Sequence, residues 1–462
     1  MTLIKSISGI RGTIGGTVGD NLTPIDTVKF AAAYGTWIKD QRSKENYRVV
    51  VGRDARISGA MVQNLVMNTL IGMGIDVIDL DLSTTPTVEI AVPLEHADGG
   101  IILTASHNPK QWNALKLLDQ NGEFLNTEHS QRVLDIAAAD SMEFADVDDL
   151  GAITINQAYF DIHIDEVLDL ELVNVKAIAD GNFKVVVDAV NSTGGIAIPL
   201  LLERLGVEAV KLHCEPNGQF PHNPEPLKQH LTDLSEKVVA INADFGIAVD
   251  PDVDRLAFMD EKGIMFGEEY TLVACADYIL SQKPGNTVSN LSSTRALRDV
   301  TEKHGGTYTA SAVGEVNVVN AMKANKAVIG GEGNGGIIYP ESHYGRDALV
   351  GVALFLSLLA ERKMAVSELR ASYPSYFMSK KKIDLNPSID VDAILVAMEA
   401  KYAHEQISTI DGVKIDFPTE WVHLRKSNTE AIIRIYTEAP SQSAADFLAD
   451  KIISEIKAIA GI

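Results

Sequence analysis

Cysteine, aromatic residues and positive charge are all scarce in this sequence. Only two cysteines, Cys214 and Cys275, occur in 462 residues. Both sit in apolar runs without CxxC spacing, which speaks against a disulfide framework or a thiolate metal cluster and predicts buried free thiols. Aromatic residues make up 6% of the chain, and 40 basic residues face 63 acidic ones for a formal charge of −23. A surface of that sign repels nucleic acid and anionic membrane, so neither is expected as a partner, and any phosphate it binds must meet locally concentrated cations or amides. No apolar run reaches the ~18 residues of a membrane-spanning helix, and the opening MTLIKSISGIRG holds no apolar core of a secretory signal. Low-complexity tracts and charge blocks longer than SKKK are missing too, which excludes long disordered tails. The expectation is a cytoplasmic enzyme acting on a small molecule, its oligomeric state left open between monomer and homodimer.

What is present is a repeated architecture. At ~100–200 residues per domain, three or four domains are expected. An apolar β-branched run, a polar or glycine loop, an amphipathic helix and a second apolar run occur in that order three times. They begin at YRVVVGRDARISG, at FKVVVDAVNSTGG and at NTVSNLSSTRAL. Each reads as a βαβ unit, which predicts three similar α/β domains with mixed, mostly parallel sheets. After about residue 372 the texture changes to short alternating strands, FMSKKKIDL, GVKIDF, WVHLRKS and AIIRIYTEA, closed by the amphipathic QSAADFLADKIISEIKAIA. That predicts a smaller C-terminal α+β domain. The boundaries fall at 1–152, 153–254, 255–371 and 372–462.

Four stretches carry chemistry. In LTASHNPKQWNALK, Ser106 follows an apolar strand on a small-residue turn, and Pro109 suits a first helical turn, so free backbone amides are expected around the hydroxyl. His107 adjoins it, and a GxSxG elbow is lacking. In FGIAVDPDVDRLAFMD, Asp250, Asp252 and Asp254 alternate in a tight loop between apolar strands. Three carboxylates so close repel one another unless a cation neutralises them. The EF-hand pattern is broken by Arg255, and few all-oxygen ligands favour Mg²⁺ shared with a phosphate. In RKSNTEAIIRIYTEA, Arg425, Ser427, Asn428 and Thr429 can cradle a phosphate dianion. In IGGEGNGGIIYPESHYGRD, Glu332 and Asn334 rise from a glycine-rich loop and suit sugar hydroxyls.

Together with SGIRG, VGRDARISG, TPT and FPHNPEP, these motifs resemble the α-D-phosphohexomutases, the group of phosphoglucomutases, phosphomannomutases and phosphoglucosamine mutases, over essentially the whole chain. The resemblance implies four domains around a central cleft, carrying in order the phosphoserine, the metal site, the sugar loop and the phosphate loop. It makes Ser106 the phosphoserine and a metal ligand with Asp250, Asp252 and Asp254. Arg255 becomes a neighbour of the transferred phosphate, Lys116 the general base with a pKa lowered by burial or a nearby cation, and Arg11 and His107 cleft residues. Glu332 and Asn334 become sugar contacts, and Arg425, Ser427, Asn428 and Thr429 the grip on the other phosphate. The implied reaction interconverts hexose 6-phosphate and hexose 1-phosphate through a bisphosphorylated sugar, with Mg²⁺ and a hexose 1,6-bisphosphate activator.

The sequence departs from the common pattern at three loops. Asn334 and Gly336 replace the serine and histidine of the sugar loop, Pro251 and Val253 replace glycines of the metal loop, and Lys426 replaces a proline. The GEGNGG loop is most similar to phosphoglucosamine mutases of archaeal type. Two rival readings, an aspartyl-phosphate phosphatase built on DPDVDR and a non-catalytic sugar-phosphate sensor, leave Ser106 or an intact aspartate loop without purpose.

Overall fold

The computed structural model describes residues 2–6, 9–44, 46–384, 389–426 and 432–461. These residues fall into two compact units, Met1–Ile279 with Asn334–Arg370, and Leu280–Gly333 with Ala371–Ile462.

The first unit begins with a seven-stranded sheet in the order Ile4–Ser6, Gly9–Thr13, Trp112–Leu118, Gly99–Leu103, Tyr47–Arg53, Ile75–Leu82, Ile153–Ile155. Its interior strand YRVVVGR is apolar on both faces because both faces are covered. Val49 and Val51 enter one core with the helices Pro24–Gln41, Gly59–Gly72 and Thr127–Ala139. Val50 points to the other side, among Val88, Val92 and Tyr159. Alternation of side chains across the strand distributes one run of valines between two cores. Each fully buried valine or leucine contributes on the order of 1.5–3 kcal/mol.

The second sheet, in the order Leu256–Met259, Phe245–Val249, Lys184–Asp188, Glu208–Leu212, is parallel except for its first pair. Helix Ala348–Arg362 joins this unit through Phe355, which stacks on Phe258 at 3.8 Å between centroids and meets Phe245 edge-on at 5.8 Å.

In the second unit, Asn286–Asn290 pairs in parallel with Tyr308–Ser311 and Ala327–Glu332. The C-terminal sheet is antiparallel, in the order Phe377–Asp384, Ile432–Ala439, Trp421–Lys426, Val413–Asp416, Gln406–Ser408. Helices Val391–Lys401 and Gln442–Ala460 cover it, burying Met398 and Ile452 against Ile415, Val422 and Ile433.

All three sequence-read βαβ units are parallel strand pairs bridged by a helix. The helix expected to begin at Pro109 is not formed. Residues 104–111 make turns and lead straight into Trp112–Leu118, antiparallel to Gly99–Leu103. The apolar positions that follow Ser106 serve a strand, so the hydroxyl sits on a tight strand-to-strand connection. Cys275 is buried and Cys214 half-buried, both as free thiols.

Candidate active site

Ser106 stands past the carboxyl end of Gly99–Leu103, and Asp250 past that of Phe245–Val249. Carboxyl ends of parallel strands are where α/β sheets leave crevices for ligands. The Ser106 backbone takes φ +47°, the left-handed region that costs a non-glycine residue ~1–2 kcal/mol. A buried arginine holds this conformation. Arg56 is 1% exposed and donates to the carbonyls of Ser106, Asn108, Pro109 and Trp112, the last two at 2.8 and 3.0 Å. Its Nε bonds Asp54 Oδ2 at 3.0 Å, and the same oxygen accepts from Thr104 Oγ1 at 2.7 Å. Five fixed donors on one guanidinium thus tie four carbonyls of the loop to a buried carboxylate.

The hydroxyl that this loop presents donates from Oγ to Asp250 Oδ2 at 2.7 Å. His107 Nδ1 lies 3.5 Å from the same oxygen. Asp250, Asp252 and Asp254 are all fully buried, with carboxylate oxygens within 4.8 Å of one another. Val253 adopts φ +63° to make the turn between them, so the valine occupies a conformation that glycine takes without strain. Burial, then the charges of Asp254 and Asp252, push the Asp250 carboxyl well above the usual range. Burial also works against ionisation of Asp252, but Lys116 overcomes it and holds that carboxyl below its usual range.

Three cations balance the rest of the cluster, the most distant being Arg255, whose Nε lies 3.9 Å from Asp254 Oδ1. Lys116 Nζ sits 2.7 Å from Asp252 Oδ2 and 3.5 Å from Asp254 Oδ2, and Arg346 Nη2 donates to Asp254 Oδ2 at 2.7 Å. Thr85 Oγ1 adds a bond to Asp252 Oδ2 at 2.6 Å. The expected lowering of the Lys116 pKa is therefore reversed: burial alone lowers it, but Asp252 and Asp254 more than compensate and push the ammonium above its ordinary value. His107 is pushed down to about 3, by burial first and then by Arg255, with Arg11 and Arg346 contributing, so it is neutral at physiological pH. Arg255 donates to Glu225 Oε1 at 3.2 Å.

The donor set fits a hard divalent cation. Asp252 Oδ1 and Asp254 Oδ1 are buried without a hydrogen-bond partner, and such orphaned carboxylate oxygens are costly unless a cation meets them. All-oxygen ligands in a closed loop suit Mg²⁺ better than a softer ion.

The second unit holds Glu332 and Arg425. Glu332 Oε1 accepts from Asn290 Nδ2 at 2.9 Å and from the Gly314 amide at 3.2 Å. The neighbouring Val313 amide donates to Asp411 Oδ2 at 3.0 Å, and Asp411 Oδ2 lies 2.9 Å from Arg425 Nε. One turn of backbone thus links Glu332 to Arg425 through consecutive amides. Ser427, Asn428 and Thr429 lie outside the described residues. Asn334 belongs to the first unit, where its Oδ1 accepts from the Gly336 amide at 3.1 Å.

Ser106, His107, Lys116, the three aspartates and Arg255 are thus assembled in one unit from two loops and one strand. Arg11 lies on Gly9–Thr13 of the same sheet, near enough to act on His107. Sequence reading missed Arg56, Thr85, Arg346 and Asp411 as site residues. The first three stood inside motifs already singled out, GRDARISG, TPT and HYGRD, but their partners lie far away in the chain. Asp411 carried no signal.

Four consecutive stretches match domain families described as Phosphoglucomutase/phosphomannomutase, alpha/beta/alpha domain I at residues 3–143, domain II at 161–263, domain III at 267–376, and C-terminal domain at 380–455. A phosphoglucomutase/phosphomannomutase of Thermococcus kodakarensis is 35% identical, over 94% of this chain and 95% of that protein. A protein of Methanopyrus kandleri named probable phosphoglucosamine mutase is 32% identical over 97% of each. Among solved structures, a phosphoglucomutase/phosphomannomutase family protein from Burkholderia thailandensis superposes with a TM-score of 0.84 at 26% identity, covering 98% of both chains. A serine hydroxyl bonded to a buried aspartate triad, on a chain matched from end to end by these proteins, places it in the phosphoglucomutase/phosphomannomutase family, the α-D-phosphohexomutases.

Proposed function

We propose that this phosphohexomutase interconverts glucosamine 6-phosphate and glucosamine 1-phosphate, with Ser106 as the carrier of the phosphoryl group. The observation that carries the reading is the 2.7 Å bond from Ser106 Oγ to Asp250, which puts the only strained serine of the described residues against the one all-carboxylate cluster. A divalent ion held by Asp250, Asp252 and Asp254, with Ser106, would supply positive charge next to the phosphoryl oxygens.

The chain's own residues account for the remaining steps. The free hydroxyl of the sugar monophosphate attacks phosphorus, its O–P bond forms as the Ser106 Oγ–P bond breaks, and the Lys116 ammonium gives a proton to the departing Oγ as it takes the hydroxyl proton in its place. Arg255 meets negative charge on the transferring group. The resulting hexose 1,6-bisphosphate turns over and returns its other phosphate to Ser106, so added bisphosphate activates by recharging the serine. His107, neutral and beside Oγ, accepts or donates a hydrogen bond without carrying charge. Arg11 lies at the same sheet edge.

In this reading residues 1–152 form the phosphoserine domain, 153–254 the metal domain, 255–371 the sugar domain and 372–462 the phosphate domain, in a cytoplasmic monomer or homodimer. Arg425, with Ser427, Asn428 and Thr429, grips the phosphate that is not being transferred. The Glu332 carboxylate, oriented by Asn290 and the Gly314 amide, and Asn334 contact the sugar. A carboxylate near C2 or C3 favours an ammonium over a hydroxyl, which supports glucosamine, as do the names of several relatives. A relative named phosphoglucomutase/phosphomannomutase supports glucose or mannose instead. The test is kcat/KM for glucosamine, mannose and glucose 1-phosphates in one assay. Glucosamine 1-phosphate should lead; a tenfold lead by another, about 1.4 kcal/mol, overturns the sugar and leaves the mutase standing.

A further inference from the structure

We propose that Asp188, His213 and His222 form a second metal site, for a borderline divalent ion of the Zn²⁺ type, separate from the aspartate loop. The fold delivers the three residues to one place. Asp188 ends strand Lys184–Asp188 and is in register with Leu212, so His213, the next residue along, leaves the sheet at the same edge. His222 arrives on the loop that follows. One donor atom from each lies within 4.8 Å of the others, and the two imidazoles stand 5.7 Å apart between centroids.

Proton positions make the case for a cation. His222 Nδ1 lies 2.8 Å from the Asn223 carbonyl oxygen, which can only accept, so the ring proton sits on Nδ1. Nε2 then faces both oxygens of Asp188, at 3.2 and 3.1 Å. The Asp188 carboxylate, 1% exposed, is met there by a positive charge, either a second proton on the His222 ring or a metal ion on its Nε2. His213 is set up in the same way: its Nε2 is 3.1 Å from Asp233 Oδ2, which places the proton there and leaves Nδ1 for a ligand bond. A histidine whose second nitrogen donates to a carbonyl or carboxylate is the arrangement that orients imidazoles on metals. Two imidazoles and one carboxylate, with a fourth position open to water, select a borderline ion over Mg²⁺.

The loop is held for this purpose by Asn191, whose amide donates to the His213 carbonyl at 2.6 Å, whose own carbonyl accepts from the Gly218 amide at 3.0 Å, and whose Nδ2 donates to the Gln219 carbonyl at 3.1 Å. It continues to Glu225, the partner of Arg255. An ion on His213 and His222 therefore clamps the segment that positions Arg255, a structural role at the edge of the reaction site. The competing occupant is a proton shared between His222 and Asp188 alone.

Co²⁺ is the probe, added to chelator-stripped full-length protein. Parent protein should take up one equivalent beyond that held by the aspartate loop, with a visible absorption band of imidazole-bound Co²⁺. His213→Gln and His222→Gln should lose that band and weaken that uptake at least tenfold, while Asp252→Asn keeps the band. In the parent itself, Co²⁺ should displace the His213 and His222 ring N–H resonances far outside their ordinary range, a readout that does not depend on the variants folding. Absence of the second equivalent, which is the proton-only outcome, overturns the site, as does a band unchanged in the histidine variants or unshifted imidazole resonances in the parent.

Discussion

Removing the Lys116 ammonium should weaken the metal-free protein and strengthen its response to Mg²⁺. At 2.7 and 3.5 Å, the ammonium attracts Asp252 and Asp254 by about 6 and about 5 kcal/mol at an effective dielectric of ~20. Desolvation of the lysine and the two fully buried carboxylates offsets much of this, and removing one partner of a buried ion pair costs ~3–5 kcal/mol net. Lys116→Met leaves three carboxylates in one pocket with Arg346 as the close counter-charge. A divalent ion restores the missing charge, and each tenfold gain in its affinity adds about 1.4 kcal/mol of stability. Thermal melts in chelator and across a Mg²⁺ titration, with calorimetric binding, measure both effects. The variant should melt lower than the parent in chelator, gain more from Mg²⁺, and bind Mg²⁺ at least tenfold more tightly; Lys116→Arg should behave like the parent. Equal Mg²⁺ gains in parent and Lys116→Met would refute the reasoning, because the lysine would then not be compensating the triad.

Other outcomes are expected elsewhere in the molecule. Ser106→Ala and Ser106→Gly should both lose mutase activity by orders of magnitude, yet the glycine variant should be the more stable by ~1 kcal/mol in denaturant titration, since only it relieves φ +47°. His423 is buried between Ser292 Oγ at 2.9 Å and the Asp411 carbonyl at 2.7 Å, and burial pushes it down to about 4. Below the unfolded value of ~6.5 the unfolded chain binds the extra proton, so stability should fall between pH 6.5 and 4 by up to ~3 kcal/mol and be flat above. Urea midpoints against pH test this, and an equal slope in His423→Gln would exclude His423 as the source. Arg295 donates to the carbonyls of Pro418, Phe417 and Glu420 at 3.2, 3.1 and 3.2 Å and pairs with Asp416. Arg295→Met should cost ~2–4 kcal/mol and expose 372–462 to limited proteolysis; unchanged cleavage would assign the arginine no such role.

What was legible in the sequence was local. The alternation in WVHLRKS and AIIRIYTEA specifies paired antiparallel strands, and three alternating carboxylates between apolar runs point to a buried acidic cluster suited to a cation. The helix at Pro109 failed because a proline after a small-residue turn fits either a first helical turn or a strand approach, and pairing with Gly99–Leu103 decided for the strand. The lowered pKa expected for Lys116 rested on burial or a nearby cation, whereas its neighbours in space are the carboxylates of Asp252 and Asp254. Arg56 stood in a quoted motif without an assigned role; only the folded chain shows its guanidinium spread over four carbonyls of the serine loop. Helix Val391–Lys401 went unread, its short amphipathic pattern masked by the β-like runs on either side.

The central claim is that Ser106 carries the phosphoryl group that moves. Incubating the protein with phosphorus-labelled hexose 1,6-bisphosphate, digesting it and sequencing the labelled peptide tests this directly. Label should reach at most one group per chain, sit on Ser106, and return to sugar bisphosphate when unlabelled glucosamine 1-phosphate is added. Label on another residue, or label on Ser106 that stays in place while the enzyme turns over, would contradict it.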